Sequence, residues 1–253
     1  MSDEISPHYL KGPRGGRLAY NQLEGKGPTV VFLGGLMSDM GGTKAVFLEN
    51  WARLRGQPFL RFDYSGHGAS DEKFTDGSVL DWAEDAAHII DHLTEGQVLL
   101  VGSSMGGWIG CDMLRRFQNR IVGFICIAAA PDFSEDEMWM GFTPAQKSEL
   151  ETKGVVHLPS DYGAPYPITK KFIEDGRKIL VLRDPLVAQC PVRLFQGEAD
   201  ADVSVATALK LFNHLQADDA QLKIVKGSDH RFSSERELAL ISAALEEILE
   251  LQK

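Results

Sequence analysis

The stretch Leu99–Trp108 reads LLVGSSMGGW, an apolar run that breaks into three glycines around two serines and a methionine. Residues 102–106 have the form G-x-S-x-G between a predicted strand and a predicted helix, which is the setting of a nucleophile elbow. Such a turn holds its central residue in strained backbone geometry, and side chains at the two glycines would collide with the adjoining strand and helix. The glycine spacing therefore selects Ser104, rather than Ser103, as the candidate nucleophile.

Apolar, β-branched runs alternate with segments at helical spacing on both sides of this motif. Continuous apolar runs indicate strands that are covered on both faces, as in parallel sheets, and their alternation with helices indicates βαβ units. The predicted strands are 29–33, 58–63, 98–101, 122–130, 192–196 and 221–225, and the predicted helices are 43–55, 79–93, 107–117, 205–215 and 234–251. The sequence thus predicts an α/β fold with a mostly parallel, doubly wound sheet. Residues 17–22 predict an additional antiparallel strand at its edge.

Residues 131–188 interrupt this rhythm, because they contain no strong strand pattern. A long insertion after a strand is typical of a functional element, and this one falls beyond the carboxyl ends of the strands, where ligands bind. We therefore predict a core of residues 1–130 and 189–253 with a helical cap over 131–188; the alternative is a pair of surface helices without a binding role. Trp108, Trp139, Met140 and Phe142 are candidates for a substrate pocket, and the alternative for each is ordinary packing.

A serine nucleophile needs a general base, usually a histidine that a carboxylate orients. After a nucleophile elbow the acid comes next in the chain and the histidine last. Of seven histidines, only His230 lies in a loop between the last predicted strand and the final helix. Asp200 follows strand 192–196 in a G-x-x-D-x-x-V pattern and is favoured as the acid. Asp202 stays an alternative acid, or else a solvated loop residue or helix cap, and Glu198 is a more remote third.

The intermediate of acyl transfer carries an oxyanion, which two backbone N–H groups stabilise. The residue after the nucleophile, Met105, supplies one at the start of a helix. The second is expected in the loop after an early strand, FLGGLMSDMGG at 32–42. Gly35 there allows the backbone to approach the substrate, and Leu36 is the candidate donor. The alternative is a plain glycine-rich turn.

Composition and charge exclude several other classes of function. The 253 residues carry a net charge of −10, which argues against nucleic acid or an anionic membrane surface as a partner. The three cysteines form no CxxC pair, and no group of histidine, glutamate and aspartate residues has the spacing of a zinc site. The motif DYSGHGAS at 63–70 is interpreted as a structural turn and not as a phosphate-binding loop. We therefore predict no metal and no cofactor. The polar N-terminus and the lack of a long apolar run lead us to expect a cytoplasmic protein without stable membrane insertion. The sequence does not indicate an oligomeric state.

Together these motifs resemble the α/β-hydrolase superfamily over essentially the whole chain. Five stretches make the sequence similar to the group that contains the mitochondrial palmitoyl-protein thioesterase, also described as mycophenolic acid acyl-glucuronide esterase. They are GGLMSDMGGTKA (34–45), RFDYSGHGAS (61–70), VGSSMGGW (101–108), ETKGV (151–155) and SDHRF (228–232). The resemblance implies an α/β-hydrolase fold with Ser104 as nucleophile, Asp200 as orienting acid and His230 as base. Where that group has a proline-glycine-aromatic oxyanion loop, this sequence has Gly34-Gly35-Leu36.

The expected function is that of a serine hydrolase that cleaves carboxylic esters or thioesters through an acyl-enzyme on Ser104. The substrate is a small-molecule ester or thioester or an acylated protein, and acyl-protein thioesterase is the form that the resemblance implies. Because one fold serves many substrates, a carbon–carbon bond hydrolase or a small-ester carboxylesterase stays an alternative. A non-catalytic ligand-binding relative is another, against which the complete set of serine, acid and histidine argues.

Overall fold

The computed structural model describes residues 6–159 and 165–252, which fold into twelve strands and seven α-helices within these ranges. The strands are β1 (His8–Lys11), β2 (Arg17–Leu23), β3 (Thr29–Leu33), β4 (Phe59–Phe62), β5 (Val98–Ser103), β6 (Ile121–Ile127), β7 (Val155–Leu158), β8 (Tyr166–Thr169), β9 (Leu186–Val187), β10 (Val192–Gly197), β11 (Leu215–Gln216) and β12 (Ala220–Val225). The helices are α1 (Thr43–Arg55), α2 (Val79–Leu93), α3 (Met105–Arg116), α4 (Pro144–Lys153), α5 (Lys170–Gly176), α6 (Val205–His214) and α7 (Glu235–Glu250). None of these helices is long and apolar enough to cross a bilayer.

An eight-stranded sheet forms the centre of the molecule, in the order β1-β2-β4-β3-β5-β6-β10-β12. From β4 to β12 the neighbouring strands run parallel, so their carboxyl ends meet at one edge of the sheet. The predicted mostly parallel, doubly wound sheet is confirmed. The prediction of an antiparallel strand at residues 17–22 is confirmed by β2, which pairs antiparallel with β4. Its predicted edge position is wrong, because β1 pairs with the outer side of β2 and takes the edge.

Two apolar clusters cover the two faces of the sheet, and successive residues of β5 contribute to opposite clusters. Leu100 packs with α2 and α3 on one face, whereas Leu99 packs with α1 and α7 on the other. Side chains alternate along a strand, so a strand that is buried on both faces has to be apolar at every position. This explains why the continuous apolar runs located the central strands.

The insertion at 131–188 contains helices, as predicted, and also strands that the sequence did not predict. It comprises a π-helix (Ser134–Trp139), α4, the antiparallel pair β7 and β8, α5, a 3₁₀ turn (Arg177–Ile179) and β9. Each strand of the β7–β8 pair buries a single side chain, Val156 or Ile168, which explains why neither shows a continuous apolar run. Side chains of the insertion share one apolar cluster with α2 and α3. The division into a core and a cap stays a prediction.

Candidate active site

The backbone turn at Ser104 joins β5, which ends at Ser103, directly to α3, which begins at Met105. Ser104 has φ 54° and ψ −117°, a conformation with positive φ that residues other than glycine seldom adopt. Such strain persists only where the surrounding structure enforces it. Here the Ser104 N–H donates to Ile127 O at 2.9 Å, and the Ala130 N–H donates to Ser104 O at 3.2 Å. The turn therefore presents a half-buried Ser104 side chain at the carboxyl edge of the sheet.

The two glycines of the motif are required by close backbone contacts. A Cβ at Gly102 would lie 2.7 Å from the carbonyl carbon of Gly106, on the other arm of the turn. A Cβ at Gly106 would lie 2.6 Å from Gly34 O and closer still to Leu33 O. Contacts below 3.0 Å are essentially never made by real Cβ atoms. The pattern that drew attention in the sequence is therefore a consequence of how tightly α3 packs against β3 and β5.

Ser104, His230 and Asp200 form one hydrogen-bonded chain. The Oγ of Ser104 lies 3.1 Å from Nε2 of His230, and Nδ1 of His230 lies 2.9 Å from Oδ2 of Asp200. The side chain of Asp200 is fully buried and that of His230 is 18% exposed. This is the order of contacts in which a carboxylate orients a histidine and the histidine can take a proton from a serine. The structure thus brings the three predicted residues together, and their catalytic roles stay predictions.

Two loops at the carboxyl ends of β10 and β12 bring Asp200 to His230. The N–H of Ala199 donates to Ser228 O, and the N–H of Glu198 donates to Val225 O, each at 2.9 Å. A Cβ at Gly197 would lie 2.7 Å from Asp229 O, so only glycine lets the loops approach this closely. Backbone contacts between the two loops therefore determine the separation of Asp200 and His230.

Asp200 accepts three further hydrogen bonds that hold it as a carboxylate. Gln196 Nε2 donates to Oδ2 at 2.9 Å, and the N–H groups of Asp202 and Val203 donate to Oδ1 at 2.9 Å and 2.8 Å. Burial, the largest single effect, raises the pKa of Asp200, but the hydrogen bonds from His230, Val203 and Gln196 and the charge of His230 together leave the pKa below its usual value. Sequence reasoning missed Gln196, whose only signal is a polar residue near the carboxyl end of β10, a strand that also contains Arg193.

The alternative acid, Asp202, is exposed and lines the cavity beside the histidine, whereas Asp200 is the carboxylate hydrogen-bonded to Nδ1 of His230 at 2.9 Å. One ligand atom each from Asp200, Asp202 and His230 lies within 4.8 Å of the others, which is metal-ligand spacing. Both ring nitrogens of His230 are already hydrogen-bonded, however, to Asp200 and to Ser104. An ion here would have to break that chain, so the group is better explained without a metal, and the absence of a metal stays a prediction.

The predicted oxyanion donors lie on two backbone segments that meet beside Ser104. Register between β3 and β5 pairs Leu33 with Gly102, so the loop after β3 starts next to the serine turn. A Cβ at Gly35 would lie 3.5 Å from the Cβ of Ser104, and both Gly35 and Leu36 line the cavity. Met105 is the first residue of α3, where backbone N–H groups have no partner within the helix.

A cavity of about 520 Å³ opens over Ser104 and His230. Its apolar wall includes Phe32 and two residues of the insertion, Phe133 and Met138. Its polar wall includes Ser38 and, at the start of α1, Thr43 and Lys44. This volume lies within the range of small-molecule sites, about 300–1,000 Å³.

The predicted pocket residues Trp108, Trp139, Met140 and Phe142 do not line this cavity. Trp108 is fully buried behind Phe133, with its indole N–H on Ile179 O at 3.0 Å. Phe142 is also in the core, and Met140 is 69% exposed. The cations of Lys147 and Arg177 each lie 4.8 Å from the centroid of the Trp139 ring. Met138 and Trp139 end the π-helix and Met140 directly follows it, and of these three consecutive residues only Met138 lines the cavity.

Sequence reasoning also missed Lys44, the second residue of α1 and part of the polar wall. Its ammonium group donates to the backbone carbonyl of Arg231, the residue after His230. Burial lowers the pKa of Lys44 to about 8, against an opposing effect of Asp229. No motif marks this lysine, because its contact with the cavity depends on where α1 packs.

Comparison with known proteins gives concordant results for sequence and fold. A sequence model of the Alpha/beta hydrolase family matches residues 30–244. Over 244 residues the chain is 34% identical to the mitochondrial palmitoyl-protein thioesterase ABHD10 of Rattus norvegicus, covering 96% of this chain and 82% of that protein. These matches include all the segments that carry the predicted serine, acid and histidine.

Two solved structures share the architecture over nearly their whole length. A protein from Agrobacterium vitis S4 superposes with a TM-score of 0.93 at 36% identity, covering 97% of this chain and 99% of that one. The mouse alpha/beta hydrolase domain-containing protein 10 superposes with a TM-score of 0.91 at 31% identity, covering 98% of this chain and 100% of that one. The likeness therefore extends through the insertion as well as the sheet.

Proposed function

The chain belongs to the alpha/beta hydrolase family, and from that premise we propose that it cleaves esters or thioesters through an acyl-enzyme on Ser104. The observation that carries the proposal is the chain of contacts from Ser104 Oγ to His230 Nε2, at 3.1 Å, and from His230 Nδ1 to Asp200, at 2.9 Å. A hydroxyl beside a histidine that a carboxylate orients is the arrangement that activates serine for attack.

In the proposed reaction His230 takes the Ser104 proton while the serine oxygen attacks the substrate carbonyl carbon. The oxyanion that forms accepts hydrogen bonds from the N–H groups of Met105 and Leu36, which are fixed before the substrate arrives. Collapse of the intermediate expels an alcohol or thiol, which takes the proton from His230. Water then attacks the acyl-enzyme, with His230 as base, and releases the acid and free Ser104. Asp200, held as a carboxylate by its four hydrogen bonds, stabilises the imidazolium at each stage.

The proposed substrate class is acyl esters and thioesters, including acylated proteins. Two observations support it: a cavity wall of Phe32, Phe133 and Met138 that suits an acyl chain, and similarity to a palmitoyl-protein thioesterase. The polar wall near Thr43 and Lys44 would then receive the leaving group. The cavity opens to solvent beside the exposed residues Met37 and Asp202, which leaves room for a leaving group larger than the cavity.

The test is the initial rate on p-nitrophenyl esters from acetyl to palmitoyl, and on the matching acyl thioesters. Ser104→Ala removes the proposed nucleophile, and Ser103→Ala, the neighbouring serine in β5, is the matched control. Rates that vanish in Ser104→Ala and persist in Ser103→Ala are expected. A rise with chain length supports the acyl-thioesterase form, and a maximum at acetyl or butyryl supports a small-ester carboxylesterase. The lack of any Ser104-dependent rate, at every chain length, would contradict the proposal and favour carbon–carbon hydrolysis or ligand binding.

We also propose a cytoplasmic location. The three cysteines, Cys111, Cys126 and Cys190, are buried free thiols, which supports a reducing compartment. Fractionation of cells that express the full-length protein, with a tag at the C-terminus, tests this location directly.

A further inference from the structure

The turn DYSGHGAS at 63–70 has a role that its sequence does not reveal. It follows β4 and places His67 at 4% exposure below the loop of residues 34–42. The backbone N–H of Met37 donates to Nε2 of His67 at 3.1 Å. Nδ1 of the same ring lies 3.2 Å from Ser65 O. A carbonyl oxygen only accepts, so Nδ1 carries the hydrogen and Nε2 is the free acceptor. The two contacts thus define one neutral tautomer.

Met37 needs such a partner, because it holds an unfavourable backbone conformation. Its φ is 54°, in the left-handed region, and its side chain is 46% exposed, so packing of that side chain does not enforce the turn. The Ser38 N–H donates to Gly35 O at 3.2 Å, which closes a turn over residues 35–38 with Leu36 and Met37 at its centre. The hydrogen bond to His67 therefore fixes the peptide unit that directly follows Leu36, the proposed oxyanion donor.

The His67 ring is itself held firmly in place. It meets Trp82 edge-to-face at 4.8 Å and lies against Phe74 at 5.5 Å between ring centroids. Burial lowers its pKa to about 4, so the ring stays neutral and keeps its acceptor at neutral pH. Farther along the loop, the Met40 N–H donates to Asp63 at 2.6 Å. The turn at 63–70 thus holds the loop at two points, one on each side of its exposed residues 38 and 39.

We propose that His67 is a positioning residue for the oxyanion hole: its Nε2 holds the Met37 amide and thereby aims the Leu36 N–H at the substrate carbonyl oxygen. This inference rests on the proposed function, because an oxyanion hole has meaning only if Ser104 attacks a carbonyl. His67 itself has no contact with Ser104, His230 or Asp200, and it does not line the cavity. Its effect should therefore appear in the transition state and not in ground-state binding.

The experiment compares two substitutions of His67 with one matched control. His67→Phe keeps an aromatic ring among Trp82 and Phe74 but removes the acceptor. His67→Gln returns an acceptor near the position of Nε2. Phe74→Leu weakens the same aromatic cluster without touching Met37. For each variant we would measure kcat, KM, the thermal midpoint, and inhibition by a trifluoromethyl ketone, which forms an oxyanion when serine adds to it.

We expect His67→Phe to lower kcat about 10- to 100-fold with little change in KM, the size of loss that follows from slight misplacement of a catalytic group. Inhibition by the ketone should weaken by a similar factor, and His67→Gln should recover most of both losses. Phe74→Leu should lower the thermal midpoint and leave kcat and ketone inhibition unchanged. Equal catalytic losses in His67→Phe and Phe74→Leu, or no recovery in His67→Gln, would overturn the inference, because the effect would then come from packing.

A second measurement on the wild-type chain separates this inference from the proposed function and does not need a folded variant. Nitrogen-15 spectra of the histidine rings at neutral pH should show His67 with hydrogen on Nδ1 and a bare Nε2. Hydrogen on Nε2 would overturn the inference whether or not the protein hydrolyses esters. If Nε2 is bare but the protein shows no Ser104-dependent turnover, the proposed function is refuted, and the positioning role with it. The hydrogen bond from the Met37 N–H to His67 would still be supported.

Discussion

Gly106→Ala is the most informative single substitution, because helix propensity and tertiary packing predict opposite results. Gly106 lies in the first turn of α3, where alanine is favoured over glycine by about 1 kcal/mol on propensity alone. Its added Cβ, however, would lie 2.6 Å from Gly34 O and closer still to Leu33 O. Both are backbone atoms, and β3 is hydrogen-bonded to a strand on each side. The clash can therefore be relieved only if α3 or the loop at residue 34 moves.

The required movement is about 1 Å, which for a catalytic group corresponds to a rate loss of about 100-fold. Both segments that can move carry proposed catalytic groups, Ser104 with Met105 on one and Leu36 on the other. We expect kcat/KM for a p-nitrophenyl ester to fall by about 100-fold, and the free energy of unfolding in urea to fall by about 1–3 kcal/mol from overpacking. Gly141→Ala is the matched control, since a Cβ at Gly141 would meet nothing within 4 Å. Wild-type activity and stability in Gly106→Ala would refute the packing argument.

Three further predictions concern the acid, a buried histidine and the cavity wall. Asp200→Asn should lower kcat by about 10⁴-fold, because His230 loses its orienting carboxylate. Asp202→Asn should leave kcat unchanged. Equal losses of kcat in the two variants would contradict the choice of Asp200 as the acid. The folded pKa of His67 is about 4 against 6.5 for a free histidine, so the unfolded chain binds a proton first as pH falls. Between pH 7 and pH 5 the free energy of unfolding in urea should therefore fall by about 2 kcal/mol more for the wild type than for His67→Gln. If the difference in free energy of unfolding between the two proteins were the same at both pH values, the ring would not be buried and neutral. Met138→Ala should raise KM for a long-chain ester and Met140→Ala should not, because only Met138 lines the cavity; the reverse result would place the acyl chain elsewhere.

The sequence identified the candidate triad because each of its members occupies a locally recognisable place. Ser104 lies between two glycines at a strand-to-helix turn, Asp200 and His230 lie in loops after strands, and all three follow in a fixed order. Those loops meet because parallel strands place their carboxyl ends at one edge. The close contacts at Gly102 and Gly106 also follow from the motif, since only glycine tolerates the approach of the neighbouring backbone.

The predicted pocket residues are not the residues that line the cavity over Ser104, and the reason lies in side-chain direction. The sequence indicated the correct part of the insertion but named Trp139 and Met140, whereas Met138 and Phe133 line the cavity. A π-helix has a wider turn than an α-helix, so spacing rules for α-helices do not give its inward face. Trp108 has the size of a pocket residue but lies one layer behind Phe133.

What the sequence determined by itself is the α/β alternation, the strand-to-helix turn at Ser104, and the two candidate residues, Asp200 and His230, that follow it in the chain. These depend on residue types within a few positions of one another, which a single chain displays directly. Only the tertiary structure decided which other groups lie around Ser104, Asp200 and His230. His67 below Met37 and Lys44 on the carbonyl of Arg231 are contacts between residues that no spacing rule relates. Gln196 lies only four residues before Asp200, but its hydrogen bond depends on how the chain turns after β10. The positions of these groups depend on how whole strands and helices pack, and that packing is determined by apolar contacts throughout the molecule.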